Sequence, residues 1–112
     1  MTQGTLETWV AAGESGPVIT LAGEADFTNA ARLSALMSAQ LSHGTEHLTI
    51  DLSGLRFADS ASIRALVLAA RTLQERGGSL LLLRPQQQVA GILALLGADQ
   101  VITIRGIGTA SP

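Results

Sequence analysis

The 112-residue sequence predicts a single small α/β domain: a mixed β-sheet with an N-terminal β-hairpin and βαβ crossovers, in the order ββαβαβαβ. Three observations lead there. Short apolar runs bounded by Gly or Pro alternate with longer stretches whose apolar residues recur at helical spacing. The first two runs are separated only by turn formers, the pattern of a hairpin. From residue 48 onward the two patterns alternate, which requires parallel strands joined by right-handed crossovers. The length is near the commonest domain size. The 46% hydrophobic content suffices for a core, and it is almost wholly aliphatic, since Trp9, Phe27 and Phe57 are the only aromatic residues.

Residues 6–12 form the first expected strand, Gly13-Glu14-Ser15-Gly16-Pro17 the turn, and 18–21 the second strand. Leu33, Leu36, Met37 and Leu41 then share a helix face, with Thr28 or Asn29 placed to cap its start and His43-Gly44 to end it. Residues 48–52 alternate as a strand, and 53–58 are expected to be a loop. Ile63, Leu66, Val67, Ala70 and Leu73 make the clearest helical stripe, opened by Asp59 or Ser60 and stopped by Gly77-Gly78. Leu80-Leu81-Leu82-Leu83 does not alternate, as in a strand covered on both faces, and Pro85 ends it. Val89, Ile92, Leu93 and Leu96 mark a third helix closed by Gly97, and 101–104 a last strand. One domain is expected over 1–112, with 1–4 and 106–112 frayed.

Composition excludes several functions. The chain has no Cys, hence no disulfide and no thiolate metal site. It has no Lys, which removes the P-loop lysine and Schiff-base chemistry. The net charge is −2 and the seven cations are single, scattered Arg residues, so nucleic acid is not an expected partner. No apolar stretch approaches the roughly 18 residues of a membrane span, and Met1-Thr2-Gln3-Gly4 does not open a signal peptide. A cytoplasmic protein without membrane insertion is expected. His43 and His47 are four apart, but Gly44 interrupts any shared helix face, so both read as surface histidines and no metal site is expected. Ser60, His43 and Asp26 could be written as a triad, without the G-x-S-x-G elbow that would support one. Asp26, Asp51 and Asp59 could meet at one end of the sheet, with Asp99 elsewhere, and a magnesium site would need them convergent. Gly106-Ile107-Gly108 lies too near the C-terminus to open a nucleotide-binding helix. No cofactor and no enzymatic activity are expected.

One segment carries a signal. Asp51-Leu52-Ser53-Gly54-Leu55-Arg56-Phe57-Ala58-Asp59-Ser60-Ala61-Ser62-Ile63 resembles the signature of the STAS domain family, whose simplest members are bacterial anti-sigma-factor antagonists. Upstream, Gly23-Glu24-Ala25-Asp26 is similar to that family's Gly-Glu-(apolar)-Asp turn after the second strand, and the element order agrees throughout. The resemblance implies a partner-switching module: an antagonist that binds an anti-sigma factor which is also a serine kinase. The kinase phosphorylates the Ser of Asp-Ser, here Ser60, and so releases it; a serine phosphatase restores it. The alternative is a STAS scaffold that is not phosphorylated, or an accessory subunit of a signalling or membrane lipid-transport complex.

The chemistry of the position suits that role. At a helix N-terminus free backbone N–H groups and the dipole favour an anion, while the same charge in a close interface is repelled and costly to desolvate. Ser and Asp are also ordinary helix caps, so the pair Asp59-Ser60 has a purely structural reading too. Ala61 and Ser62 depart from the hydroxyl residue and Gly common in the family, which makes Ser62 an alternative acceptor. The expected partner surface comprises Gly23, Glu24, Asp26, Phe27, Arg56, Asp59, Ser60, Ala61, Ser62 and Ile63.

Overall fold

The computed structural model describes residues 4–107. In chain order these form β1 (Leu6–Gly13), β2 (Gly16–Ala25), α1 (Ala30–Ser42), β3 (His47–Ala58), α2 (Ser60–Glu75), β4 (Ser79–Leu83), α3 (Gln87–Leu95), a 3-10 turn (Ala98–Gln100) and β5 (Thr103–Arg105). The order ββαβαβαβ is the one the sequence predicts. Gly4 belongs to the end expected to fray, yet its N–H is bonded to Asp26. Residues 1–3 and 108–112 lie outside the described residues.

The hairpin turns on Glu14-Ser15, with Gly13 facing Gly16. β1 is antiparallel to β2, while β2, β3, β4 and β5 run parallel in the spatial order 1-2-3-4-5. Each crossover therefore advances one place in the same direction, and right-handed crossovers of that kind put every helix on one face. Burial agrees. Ile19, Leu21, Ile50, Leu52, Leu80 and Leu82 are buried beneath the helices, whereas Thr20, Thr49, Asp51, Leu81 and Leu83 alternate with them and are half-buried. The expectation that the four-leucine strand is covered on both faces is thereby corrected: its second face lacks a layer, because no crossover returns on that side.

A second correction concerns β3. Residues 53–58, expected as a loop, continue the strand. Thr20 pairs with Asp51 and Ala22 with Gly54, then Gly23 with Leu55 and Glu24 with Phe57. At each step β3 spends one residue more than β2, giving two β-bulges, each of which reverses the side to which the following residues point. Leu48, Ile50 and Leu52 are buried at a period of two, and Leu55 and Ala58 then follow at intervals of three. The bulges keep core-facing residues facing the core while breaking the alternation that identifies a strand. β2 is likewise longer than expected, so that Gly23-Glu24-Ala25 is strand rather than turn.

In α2 the expected stripe is buried except for half-buried Val67, and Ala65 and Ala69 join it, lining with Met37 and Leu41 the seam against α1. Gly77 ends this helix in the left-handed region, letting Gly78 N–H reach the Leu73 carbonyl at 2.8 Å. α3 buries Val89 and Leu93, but Leu96, expected in its stripe, lies 48% exposed beyond the helix end. β5 is shorter than the expected 101–104, because the N–H groups of Val101 and Ile102 are spent on the Ala98 carbonyl in the 3-10 turn. Among the described residues no helix is long and apolar enough to cross a membrane.

Gly23 is where β1 and β2 meet most tightly. Its φ is +96°, and a Cβ there would lie 2.0 Å from the Thr5 carbonyl oxygen, which accepts from Glu24 N–H at 2.8 Å. Gly23→Ala is therefore expected to lower stability by about 1–3 kcal/mol, read as a fall in the urea midpoint. An unchanged midpoint would contradict the close approach.

Candidate functional site

The two motifs meet at the C-terminal end of the parallel sheet. Ala25 pairs with Ala58, and Asp59 N–H donates to the Ala25 carbonyl at 3.0 Å, so β2 and β3 finish side by side. Each then turns away through an aspartate. Asp26 opens the turn into α1, and Asp59 caps α2.

Around Asp26 the bonds point inward. Its carboxylate accepts from Gly4 N–H and Thr28 N–H, each at 2.9 Å, and from the Thr28 hydroxyl. Asn29 Oδ1 accepts from Asp26 N–H at 3.0 Å, and Asn29 Nδ2 donates to the Glu24 carbonyl at 3.0 Å. The expectation that Thr28 or Asn29 caps α1 is thus corrected. Asn29 occupies the cap position, but its amide is committed backward to the end of β2, and no side chain caps the helix. The Thr28 hydroxyl, with the N–H groups of Thr28, Gly4 and Asn29, holds the Asp26 carboxyl below the usual carboxylate range against the opposing effect of burial.

Asp59 decides what each serine does. Its Oδ1 accepts from Ser62 N–H at 2.9 Å and from the Ser62 hydroxyl at 2.8 Å. Ser62 is 1% exposed and faces the core. That counts against it as an alternative phosphate acceptor: its oxygen is enclosed and already engaged. Ser60, the first residue of α2, is exposed, and its hydroxyl has no hydrogen-bond partner among the described residues.

The expected partner surface divides in the same way. Phe27 is 75% exposed, and Arg56, Ser60 and Ala61 are exposed. Glu24, Asp26 and Asp59 are half-buried, with Glu24 ion-paired to Arg56. Gly23, Ser62 and Ile63 are buried, a correction that follows from Gly23 packing under Thr5 and from the inward face of α2. Phe57, next to Arg56, is 43% exposed and opposite Glu24; the second bulge turns it outward.

The remaining candidates do not assemble. Asp51 lies opposite Thr20, five β2 residues or about 16 Å before the Ala25 end at ~3.3 Å per residue. It is held there by Arg84 and by Ser53 N–H at 2.9 Å. Burial pushes its carboxyl up, but Ser53 and Arg84 outweigh this and leave it lowered. His43 ends α1 and His47 starts β3, at the opposite end of the sheet from Ser60 and Asp26, so the triad is not formed. Among the described residues no three His, Asp or Glu side chains cluster as a metal would require. Gly106 and Ile107 follow β5, and Gly108 lies outside the described residues.

Asp59→Ala removes a cap and strands the buried Ser62 hydroxyl, so a loss of about 2–3 kcal/mol is expected in urea unfolding, with Asp59→Asn losing less than half of that. Equal losses in the two variants would contradict the role of the cap oxygen. Asp26 supplies a pH signature. Because its pKa is lowered from 3.8 on folding, its stabilisation is present above that value and disappears as pH falls through the lower folded value. The advantage of the wild type over Asp26→Asn is therefore expected to be full near pH 6 and to shrink below about pH 3.8 in urea midpoints measured across that range. A pH-independent difference would count against the bonded carboxylate.

Comparison with known proteins places this geometry. The family model described as "Mlab, STAS domain" matches residues 9–105. A candidate anti-sigma factor antagonist of Bordetella bronchiseptica, BtrV, is 29% identical over 80 residues, spanning 71% of this chain and 69% of that protein. The crystal structure of an anti-sigma factor antagonist from Mycobacterium paratuberculosis superposes with a TM-score of 0.82 at 20% identity, covering 95% of this chain and 88% of that one. SpoIIAA in its unphosphorylated form superposes with a TM-score of 0.76 at 20% identity, over 93% and 90% of the two chains. The phosphorylated form of the Bacillus cell fate determinant SpoIIAA gives 0.70 at 20% identity, over 93% of each. With its fold shared across these structures and residues 9–105 matched by the family's own model, the chain belongs to the STAS domain family.

Proposed function

We propose that the protein is an anti-sigma-factor antagonist that binds an anti-sigma factor with serine kinase activity and is switched off by phosphorylation at Ser60. One observation carries this reading: Asp59 holds Ser62 inward and leaves Ser60 outward and unbonded at the start of α2. In the switching step the Ser60 oxygen attacks the γ-phosphorus of the kinase's ATP, the hydroxyl proton passes to the kinase, and ADP leaves. A serine phosphatase returns the hydroxyl. The domain tolerates the new group, since the α2 N-terminus offers about 0.3–1 kcal/mol to an anion. The partner does not. About −1.5 to −2 charges pressed into a close interface cost desolvation and meet repulsion from any facing acid. A penalty of roughly 3 kcal/mol weakens binding more than a hundredfold, with no change of fold. The similarity to BtrV and to SpoIIAA, which is known in phosphorylated and unphosphorylated forms, supports the reading.

Ala61 and Ser62, where the family commonly has a hydroxyl residue and Gly, favour a second reading: a scaffold that is not phosphorylated, or an accessory subunit of a signalling or membrane lipid-transport complex. Neighbouring genes for a sigma factor and kinase point to the first reading, and those for a permease and ATPase to the second. The decisive binding experiment uses the neighbouring anti-sigma factor in calorimetry. Wild type and Ser60→Ala are expected to bind alike and Ser60→Asp at least tenfold more weakly. Binding of Ser60→Asp at full strength would count against the charge switch.

A further inference from the structure

Ser60 stands at the head of a surface groove of about 300 Å³ that runs along α2, lined by Ile63, Arg64, Val67, Leu68, Arg71 and Leu96. Positions 60, 64, 67, 68 and 71 recur at helical spacing and therefore share one face. Ile63 and Val67 form an apolar floor, and Leu68 and Leu96, 52% and 48% exposed, form the walls. Arg64 and Arg71 flank them. Both are exposed, and among the described residues neither has an acid within salt-bridge distance, unlike Arg56 and Arg84, which are paired to Glu24 and Asp51. Seven residues apart on a helix, the two guanidinium groups leave α2 about 10 Å from each other. An apolar centre between two unpaired cations at this spacing complements an amphipathic helix bearing acids at i and i+7.

We propose that this groove is the docking site for an acidic amphipathic helix of the partner, with its two acids on Arg64 and Arg71 and the apolar residues between them against Leu68 and Leu96. A second copy of the chain cannot supply that helix: α1 and α3 contain no acid, and α2 contains only Glu75. The identity of the partner rests on the antagonist reading above; the chemistry of the groove does not. A phosphate on Ser60 stands one turn from Arg64, where it competes for the guanidinium and repels the incoming acid. The groove is where the switch acts.

The test titrates the isotope-labelled full chain with a synthetic 14-residue helical peptide carrying Glu at positions 3 and 10, Leu at 6 and 7, and Ala elsewhere. Amide shifts are expected to be confined to residues 60–71 and 95–97. Affinity is expected to fall at least tenfold when both peptide Glu become Lys, or with Arg64→Glu plus Arg71→Glu, and to be unchanged in Arg105→Glu. No shifts at millimolar peptide, shifts mapping to β1 or β5, or indifference to both charge reversals would overturn the groove. The neighbouring anti-sigma factor separates the two readings. Its failure to bind the wild type while the peptide docks defeats the antagonist and leaves the groove standing. Its equal binding to wild type and the Arg64→Glu, Arg71→Glu variant defeats the groove and leaves the antagonist.

Discussion

The backbone bond from Asp59 N–H to the Ala25 carbonyl, 3.0 Å long, ties the end of β3 to the end of β2, and the arrangement of the site depends on it. Two strands of different length in residues reach it together only because β3 absorbs its two extra residues as bulges. Without them Leu55, three residues after Leu52, would rotate to the open face and leave the core. The Asp26 turn and the start of α2 are neighbours for this reason. Gly23 serves the same end from the other side, letting Thr5 pass over β2 where no side chain would fit.

From that anchor the cap sets the chemistry. A single oxygen of Asp59 takes both the N–H and the hydroxyl of Ser62, satisfying the only polar side chain that α2 buries. The same bonds fix the rotation of the first turn, which turns Ser60 outward toward Arg64 and the groove. Structural capping and the proposed regulatory use are therefore compatible. The cap is what presents the hydroxyl.

The element order and the core residues of α1 and α2 were legible because their periodicity is unbroken. β3 was legible only as far as Leu52, since a bulge removes the alternation that marks a strand, and nothing in residues 53–58 announces one apart from Gly54. The four leucines of β4 carry no information about which face is covered; the direction in which the crossovers step settles that. The roles of the two serines were legible and went unread. Ser62 shares its helical stripe with Leu66, Ala69 and Leu73, all buried, while Ser60 shares its own with Arg64, Leu68 and Arg71, all exposed. The groove beside Ser60 lay partly beyond sequence reasoning, because Leu96 reaches it from the far end of another helix.

The most direct test of this account is mass spectrometry of the protein after incubation with ATP and the anti-sigma-factor kinase proposed as its partner, read on the tryptic peptide 57–64. That peptide contains both serines, and its fragment ions distinguish them. The account predicts a single phosphate, on Ser60. A phosphate on Ser62, whose oxygen is shut inside against Asp59, or a peptide left unmodified by a kinase that binds the protein, would contradict it.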